Sequence, residues 1–174
     1  MSNLTDEEQI EINASKEVLN AALLHDEELI IILRSHLYIE NELNKIIYLF
    51  MGHLNILDII NLNYSKKIDL AIRFGLNKDY RKRLITLGRL RNKFAHNIKA
   101  SLEEKDAIDF IKSIGQDKSD MINSYHVAKK NSGNESNFDD EPPSQKIIMC
   151  ILHTWAPVAV AAIKAQRDMS ETRY

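Results

Sequence analysis

The chain has 174 residues, 44% of them apolar and 28% charged, with five Gly, three Pro and a formal net charge of -2. These values exclude a fibrous or low-complexity chain and fit one soluble domain over residues 1–174, built from few, long elements; the small net charge selects no class of partner. The single Cys150 excludes an internal disulfide framework and fits a reducing cytoplasm, which is the expected location.

The acidic, polar start through Glu8 does not read as a signal peptide. Thr5 and Glu8 stand at capping-box spacing, and Ile10, Ala14, Val18, Ala21 and Leu24 recur at helical period, predicting a helix over 6–24. His25-Asp26 interrupts it, with Asp26 as the expected N-cap of a longer helix over 27–50. The expected apolar stripe of that helix is Leu29, Ile30, Leu33, Leu37, Leu43, Ile46, Ile47 and Phe50. Its first turn is apolar nearly all round, which predicts burial on two sides, as against a second subunit. The run at 29–33 falls far short of the roughly 20 apolar residues of a membrane span, so no membrane association is expected.

Residues 54–64 read as a connector. Ser65 is expected to cap a short helix that carries Ile68, Ala71 and Ile72 and ends at Gly75. A further helix is expected over 79–90 with Tyr80, Leu84, Leu87 and Leu90 on its apolar side and Arg81, Lys82 and Arg83 off it. Ser101 and Glu104 read as a second capping box, opening a helix to Ile114 with Ile108 and Ile111 inward. Met121, Ile122, Tyr125 and Val127 predict a short helix. The polar, turn-rich stretch 129–144 predicts a mobile loop, and 145–167 a last helix broken or kinked at Pro157. No strand alternation, repeat or heptad array is present. The expected class is all-α, an antiparallel bundle of about five to seven helices.

Charge is distributed unevenly. Residues 66–99 hold eleven Lys and Arg against Asp69 and Asp79, a balance of +9, while the rest of the chain carries -11. A basic cluster of this kind is either an electrostatic footprint for phosphates or a solvated face that pairs with the acidic remainder.

That window closes on Arg89-Leu90-Arg91-Asn92-Lys93-Phe94-Ala95-His96-Asn97. Arg91 and His96 are five positions apart, which turns them about 140° from each other on a regular helix. They converge only if the helix ends or bends near Asn92, if the Arg wraps round, or if two copies of the chain each contribute one. His exchanges protons near neutrality, and Arg holds a phosphate at two points. Together they suit phosphodiester transfer, where charge builds on the non-bridging oxygens. On spacing alone the commoner arrangement is structural, with Arg91 paired to a carboxylate and His96 at a helix end. Cys150 and His153, three apart, lack further ligands for a metal site and read as core. His25, His36, His53 and His126 receive no role.

Arg91-Asn92-Lys93-Phe94-Ala95-His96 resembles the R-x4–6-H motif of the HEPN superfamily of helical domains. The stretch Lys67-Ile68-Asp69-Leu70-Ala71-Ile72-Arg73-Phe74-Gly75-Leu76, followed by Leu84, Leu87 and Leu90, is similar to the mannitol operon repressor-like branch. The similarity covers roughly residues 28–114. Many HEPN toxins paired with nucleotidyltransferases carry a Tyr two places after the His; here that place is Ile98. The resemblance implies a HEPN-like bundle acting as a homodimer, in a toxin–antitoxin or defence setting, as a metal-independent endoribonuclease that needs no cofactor. By that resemblance His96 transfers protons, Arg91 holds the scissile phosphate and Asn92 orients it. Arg81, Lys82, Arg83, Arg89 and Lys93 grip flanking phosphates, and Glu40 or Glu42 orients Arg91. The partners implied are RNA or another phosphate-bearing ligand and an antitoxin or regulatory protein. The alternatives are a non-catalytic regulator of the mannitol operon repressor-like kind and a plain helical interaction module.

Overall fold

A computed structural model describes residues 4–23, 27–51, 61–133 and 136–171. It is an all-α helical bundle; among the described residues there is no strand. The helices are α1 (Asp6–Leu23), α2 (Glu28–Phe50), α3 (Tyr64–Arg73), α4 (Arg81–His96), α5 (Glu104–Ile114), α6 (Lys118–Asn131) and α7 (Pro143–Glu171), with 3-10 turns at Lys78–Tyr80, Gly115–Asp117 and Phe138–Asp140.

The bundle is organised on the pair α2 and α7. Helix α1 packs on both, α3 and α4 pack on α2, and α5 packs on α7 and α4. The inner face of α7 carries Ile147, Cys150, Ile151, Thr154, Trp155, Val158, Ala159 and Ala162, at spacings of three and four. Two buried hydroxyls in this core turn back on their own helices. Ser35 donates to the Ile31 carbonyl at 2.5 Å and Thr154 to the Cys150 carbonyl at 2.7 Å, so neither is left unsatisfied. By length and composition α7 is apolar enough to cross a membrane, a test that a buried core helix also passes, and more than half of that stretch is buried in the bundle.

The first capping box forms as the sequence predicts: Thr5 N–H donates to Glu8 Oε2 at 2.7 Å and Glu8 N–H to Thr5 Oγ1 at 3.2 Å. The expected Asp26 cap lies outside the described residues; α2 ends at Phe50, with Met51 N–H on the Ile47 carbonyl at 2.9 Å. Helix α3 is capped by Asn63, whose Oδ1 accepts from Lys66 N–H at 2.9 Å, two residues before the expected Ser65. Its end is a Schellman motif, with Leu76 N–H on the Ala71 carbonyl at 3.0 Å and Gly75 N–H on the Ile72 carbonyl at 3.2 Å. Gly75 supplies the φ of +105° this closure needs.

Several faces differ from the predicted ones. On α1 the buried residues are Ile12, Leu19 and Leu23, whereas Ile10 and Val18 are exposed. On α2 the predicted Leu43, Ile46 and Ile47 are buried, but Leu29, Leu37 and Phe50 are exposed and Ile31, Ile32 and Ile39 take the core. Five consecutive apolar residues at 29–33 leave the phase of the stripe undefined in sequence, and packing against α7 selects it. On α5 Ala107, Phe110 and Ile114 point inward and Ile108 is exposed. The capping box there is Glu103 with Asp106, because Leu102 is buried and its N–H is held by Glu28 Oε2 at 2.7 Å.

The stretch 129–144 is not all loop. Helix α6 runs through Asn131, α7 begins at Pro143, and Phe138 between them is buried against the Tyr125 ring. Glu141 ties this segment to α6. Its Oε1 receives Lys129 Nζ at 2.8 Å, the Tyr125 hydroxyl and the Ser136 hydroxyl at 2.8 Å. The hydrogen bond from Lys129, then that from Tyr125, hold its carboxyl down to about 2. A folded-state value below the unfolded one stabilises above the ordinary carboxylate range and loses that contribution as pH falls toward 2. Glu141→Gln is therefore expected to lower stability by about 1–2 kcal/mol at pH 7. Thermal melts at pH 7, 4 and 2 check it: the gap to wild type closes on acidification, and a gap independent of pH would show that the carboxylate charge plays no part.

Helix α7 continues unbroken through Pro157. A proline has no amide to donate to the carbonyl four residues back, which here belongs to His153. The Arg83 guanidinium reaches that carbonyl from α4, at a long 3.5 Å through Nη1. Its Nη2 donates to the Ile114 carbonyl at the end of α5 at 2.8 Å and to Asp117 Oδ2 at 2.7 Å. Arg83 is 1% exposed, with its guanidinium over the Tyr80 ring. It joins three helices where the regular hydrogen-bond ladder leaves carbonyls open.

Candidate functional site

The basic window builds α3 and α4, and these helices with α2 enclose a cleft of about 580 Å³. The wall from α4 consists of Ile85, Gly88, Arg89, Arg91 and Asn92; His36 and Glu40 come from α2, and Asn63, Tyr64 and Ser65 from the start of α3. Gly88 sets the approach: a Cβ there would stand 3.0 Å from two Tyr64 ring carbons, so any larger residue pushes α4 and Tyr64 apart.

A charged network lies at the base. Lys67 Nζ meets Glu40 Oε1 at 2.6 Å, and Glu40 Oε2 is 3.5 Å from His36 Nδ1. Lys67 is 2% and His36 5% exposed. A buried ammonium is costly without a partner, and Glu40 supplies it. The His36 ring rests against the Tyr64 ring, centroids 4.2 Å apart. Burial pushes His36 down to about 4 despite the opposing pull of Glu40, and the positive charges of Arg91 and Lys67 push the same way as burial. His36 is therefore a neutral imidazole at pH 7. The Tyr64 hydroxyl is buried without a hydrogen-bond partner among the described residues, and burial, then Glu40, raises its pKa.

At the rim, Arg91 Nη1 donates to Asn92 Oδ1 at 3.1 Å, and both side chains are exposed. Helix α4 runs unbroken through His96, so Asn92 is neither cap nor break. Arg91 and His96 consequently diverge by about 140° within one chain. Asn92 and His96, four apart, share a face at about 40°. His96 thus extends the stripe Ile85–Gly88–Asn92 by one turn, about 6 Å beyond the cleft wall. It is exposed and makes no hydrogen bond among the described residues.

The other predicted residues separate into distinct groups. Lys82 and Arg89 are exposed, and no hydrogen bond or ion pair holds their side chains among the described residues. Arg81 pairs with Asp69 at 3.0 Å on the surface. Lys93 bridges Asp106 at 2.7 Å and Glu103 at 3.3 Å, which fastens α4 to the capping box of α5. Arg83 is enclosed as described above and cannot present its charge to a phosphate outside. Neither predicted carboxylate orients Arg91: Glu40 is engaged with Lys67 and His36, and Glu42 with Lys45 at 3.0 Å. Cys150 is a core residue whose thiol burial pushes up to about 12. Among the described residues no three acidic, His or Cys side chains group as a metal site.

Sequence reasoning passed over His36, Lys67 and Tyr64. The available signal was His36 and Glu40 at i and i+4 on the helix facing the basic window, a spacing that stacks both side chains on one face.

Comparison with protein-family models, curated proteins and solved structures returned no match. What fold and cleft define is an all-α bundle protein with an interhelical cleft carrying arginines at its rim and a buried His–Glu–Lys network at its base.

Proposed function

We propose that this chain is an RNA-binding protein and metal-independent endoribonuclease of the HEPN type, working as a homodimer in a toxin or defence setting. The observation that carries the reading is the exposed stripe of α4 on which Lys82, Arg89, Asn92 and His96 follow one another, with Arg91 on the other flank of the cleft that Arg89 and Asn92 line. Arginine and asparagine there hold a phosphodiester, and His96 exchanges the proton. Two copies placed about a twofold axis bring the His96 of one toward the Arg91 of the other, which a single regular helix does not do. An antitoxin or regulatory protein covering the same stripe would silence it.

The divergence of Arg91 and His96 within one chain supports a second reading, a non-catalytic regulator similar to the mannitol operon repressor-like proteins, which uses the stripe for binding alone. Incubation of purified protein with structured and unstructured RNA in EDTA separates the two. Under the first reading wild type produces 2′,3′-cyclic phosphate ends and His96→Ala loses about 100-fold or more in rate. Binding with no cleavage of any RNA selects the regulator.

A further inference from the structure

Cleavage of RNA by its own 2′-hydroxyl needs two proton transfers, one from the attacking oxygen and one to the leaving 5′-oxygen. One histidine at the rim serves one of them in a concerted step. Resting on the ribonuclease reading above, we infer that His36 is the second proton-transfer residue, oriented by Glu40 and standing in the cleft behind Arg91. The Nδ1 edge of the imidazole faces the Glu40 carboxylate at 3.5 Å, which favours hydrogen on Nδ1 and leaves Nε2 as the acceptor. The Tyr64 ring fixes the plane of the imidazole from one side. The groups that face His36 are Glu40 from its own helix, Tyr64 and Lys67 from α3, and Arg91 from α4. Buried and neutral, His36 enters the reaction as the base.

The step balances without a metal. The 2′-oxygen forms its bond to phosphorus while its proton passes to the free imidazole nitrogen of His36. The bond from phosphorus to the 5′-oxygen breaks, and that oxygen takes a proton from His96 supplied by a second copy. The products are a 2′,3′-cyclic phosphate and a 5′-hydroxyl. His36 then releases its proton to water and His96 takes one back from it, which restores both groups. Arg91 stands near both the imidazole and the phosphate, where its charge stabilises the phosphorane oxygens and opposes premature protonation of His36.

The test measures RNA affinity and single-turnover cleavage in EDTA from acid to neutral pH for wild type, His36→Ala and Glu40→Gln. Expected are RNA affinities within about threefold of wild type and a loss of cleavage by His36→Ala of about 100-fold or more. The wild-type rate rises with pH through an acid limb. Glu40→Gln removes the charge that raises the His36 pKa, so its limb moves to lower pH, which a purely structural role for the pair would not produce. Helical circular dichroism identifies a His36→Ala protein that fails to fold, in which case the Glu40→Gln limb decides alone. Cleavage by wild type together with full activity of a folded His36→Ala, or an unmoved limb in Glu40→Gln, overturns the assignment of His36 and leaves the ribonuclease reading standing. A wild type that binds RNA and cleaves none removes that reading and His36 with it.

Discussion

Replacing Arg83 with methionine is expected to destabilise the protein by about 3–5 kcal/mol, a drop in Tm of roughly 6–20 °C. Methionine keeps much of the aliphatic volume and removes every donor. The Ile114 carbonyl, buried at the end of α5, loses its 2.8 Å partner, and the His153 carbonyl loses its 3.5 Å contact from α4. Asp117 is 30% exposed and regains water, so its loss weighs least and Asp117→Asn is expected to cost under half as much. The Arg83 Nε is itself buried without a partner among the described residues, which already lowers the net worth of the wild-type arrangement. The proline supplies a sharper check. Pro157→Ala returns an amide hydrogen to the His153 carbonyl, so Arg83→Met is expected to cost about 1 kcal/mol less in that background. Urea unfolding of the four proteins in the cycle measures this. Strict additivity would show that Arg83 does not compensate for Pro157.

On the proposed ribonuclease reading, Arg91→Ala is expected to reduce RNA cleavage by about 100- to 1000-fold, the scale for removing one preorganised donor from a developing oxyanion. Arg91→Lys restores only part of it, since an ammonium keeps the charge and loses the planar two-point grip that Asn92 orients. Binding should respond differently from rate. For single-stranded RNA each phosphate contact adds about 0.7 to the slope of log affinity against log salt. Lys82→Ala and Arg89→Ala are each expected to lower the slope by about that amount. Lys93→Ala, whose ammonium already pairs with Asp106 and Glu103, is expected to leave it unchanged. Fluorescence anisotropy titrations between low and moderate salt resolve these slopes. Equal slopes for all variants would place the RNA somewhere other than the α4 stripe.

The class of fold was legible because it rests on local rules. Thr5 and Glu8 form the capping box their spacing predicts, and Gly75 closes α3 with the positive φ that glycine adopts freely. Leu84, Leu87 and Leu90 are buried at helical period. The phases of α1 and α2 were not legible. Where apolar residues stand side by side, as at 29–33, every phase satisfies the pattern, and only the partner helix distinguishes them.

The same division runs through the candidate site. The basic window, the Arg91–Asn92–His96 stretch and the angle that keeps Arg91 and His96 apart on one helix follow from composition and helical pitch. Which cations face solvent depends on how the helices pack. Arg81, Arg83, Lys82, Arg89 and Lys93 look alike in the chain, yet Arg83 is buried under three helices, Arg81 and Lys93 are paired, and Lys82 and Arg89 stand in the open. Packing alone brought His36, Glu40 and Tyr64 into one cleft and set Lys67 against Glu40. Those residues are up to 31 positions apart in the chain, and no local pattern encodes a contact made by the packing of α3 across α2. A side chain's charge is written in its chemistry, but whether that charge meets water, a carboxylate or a backbone carbonyl depends on which helices close around it.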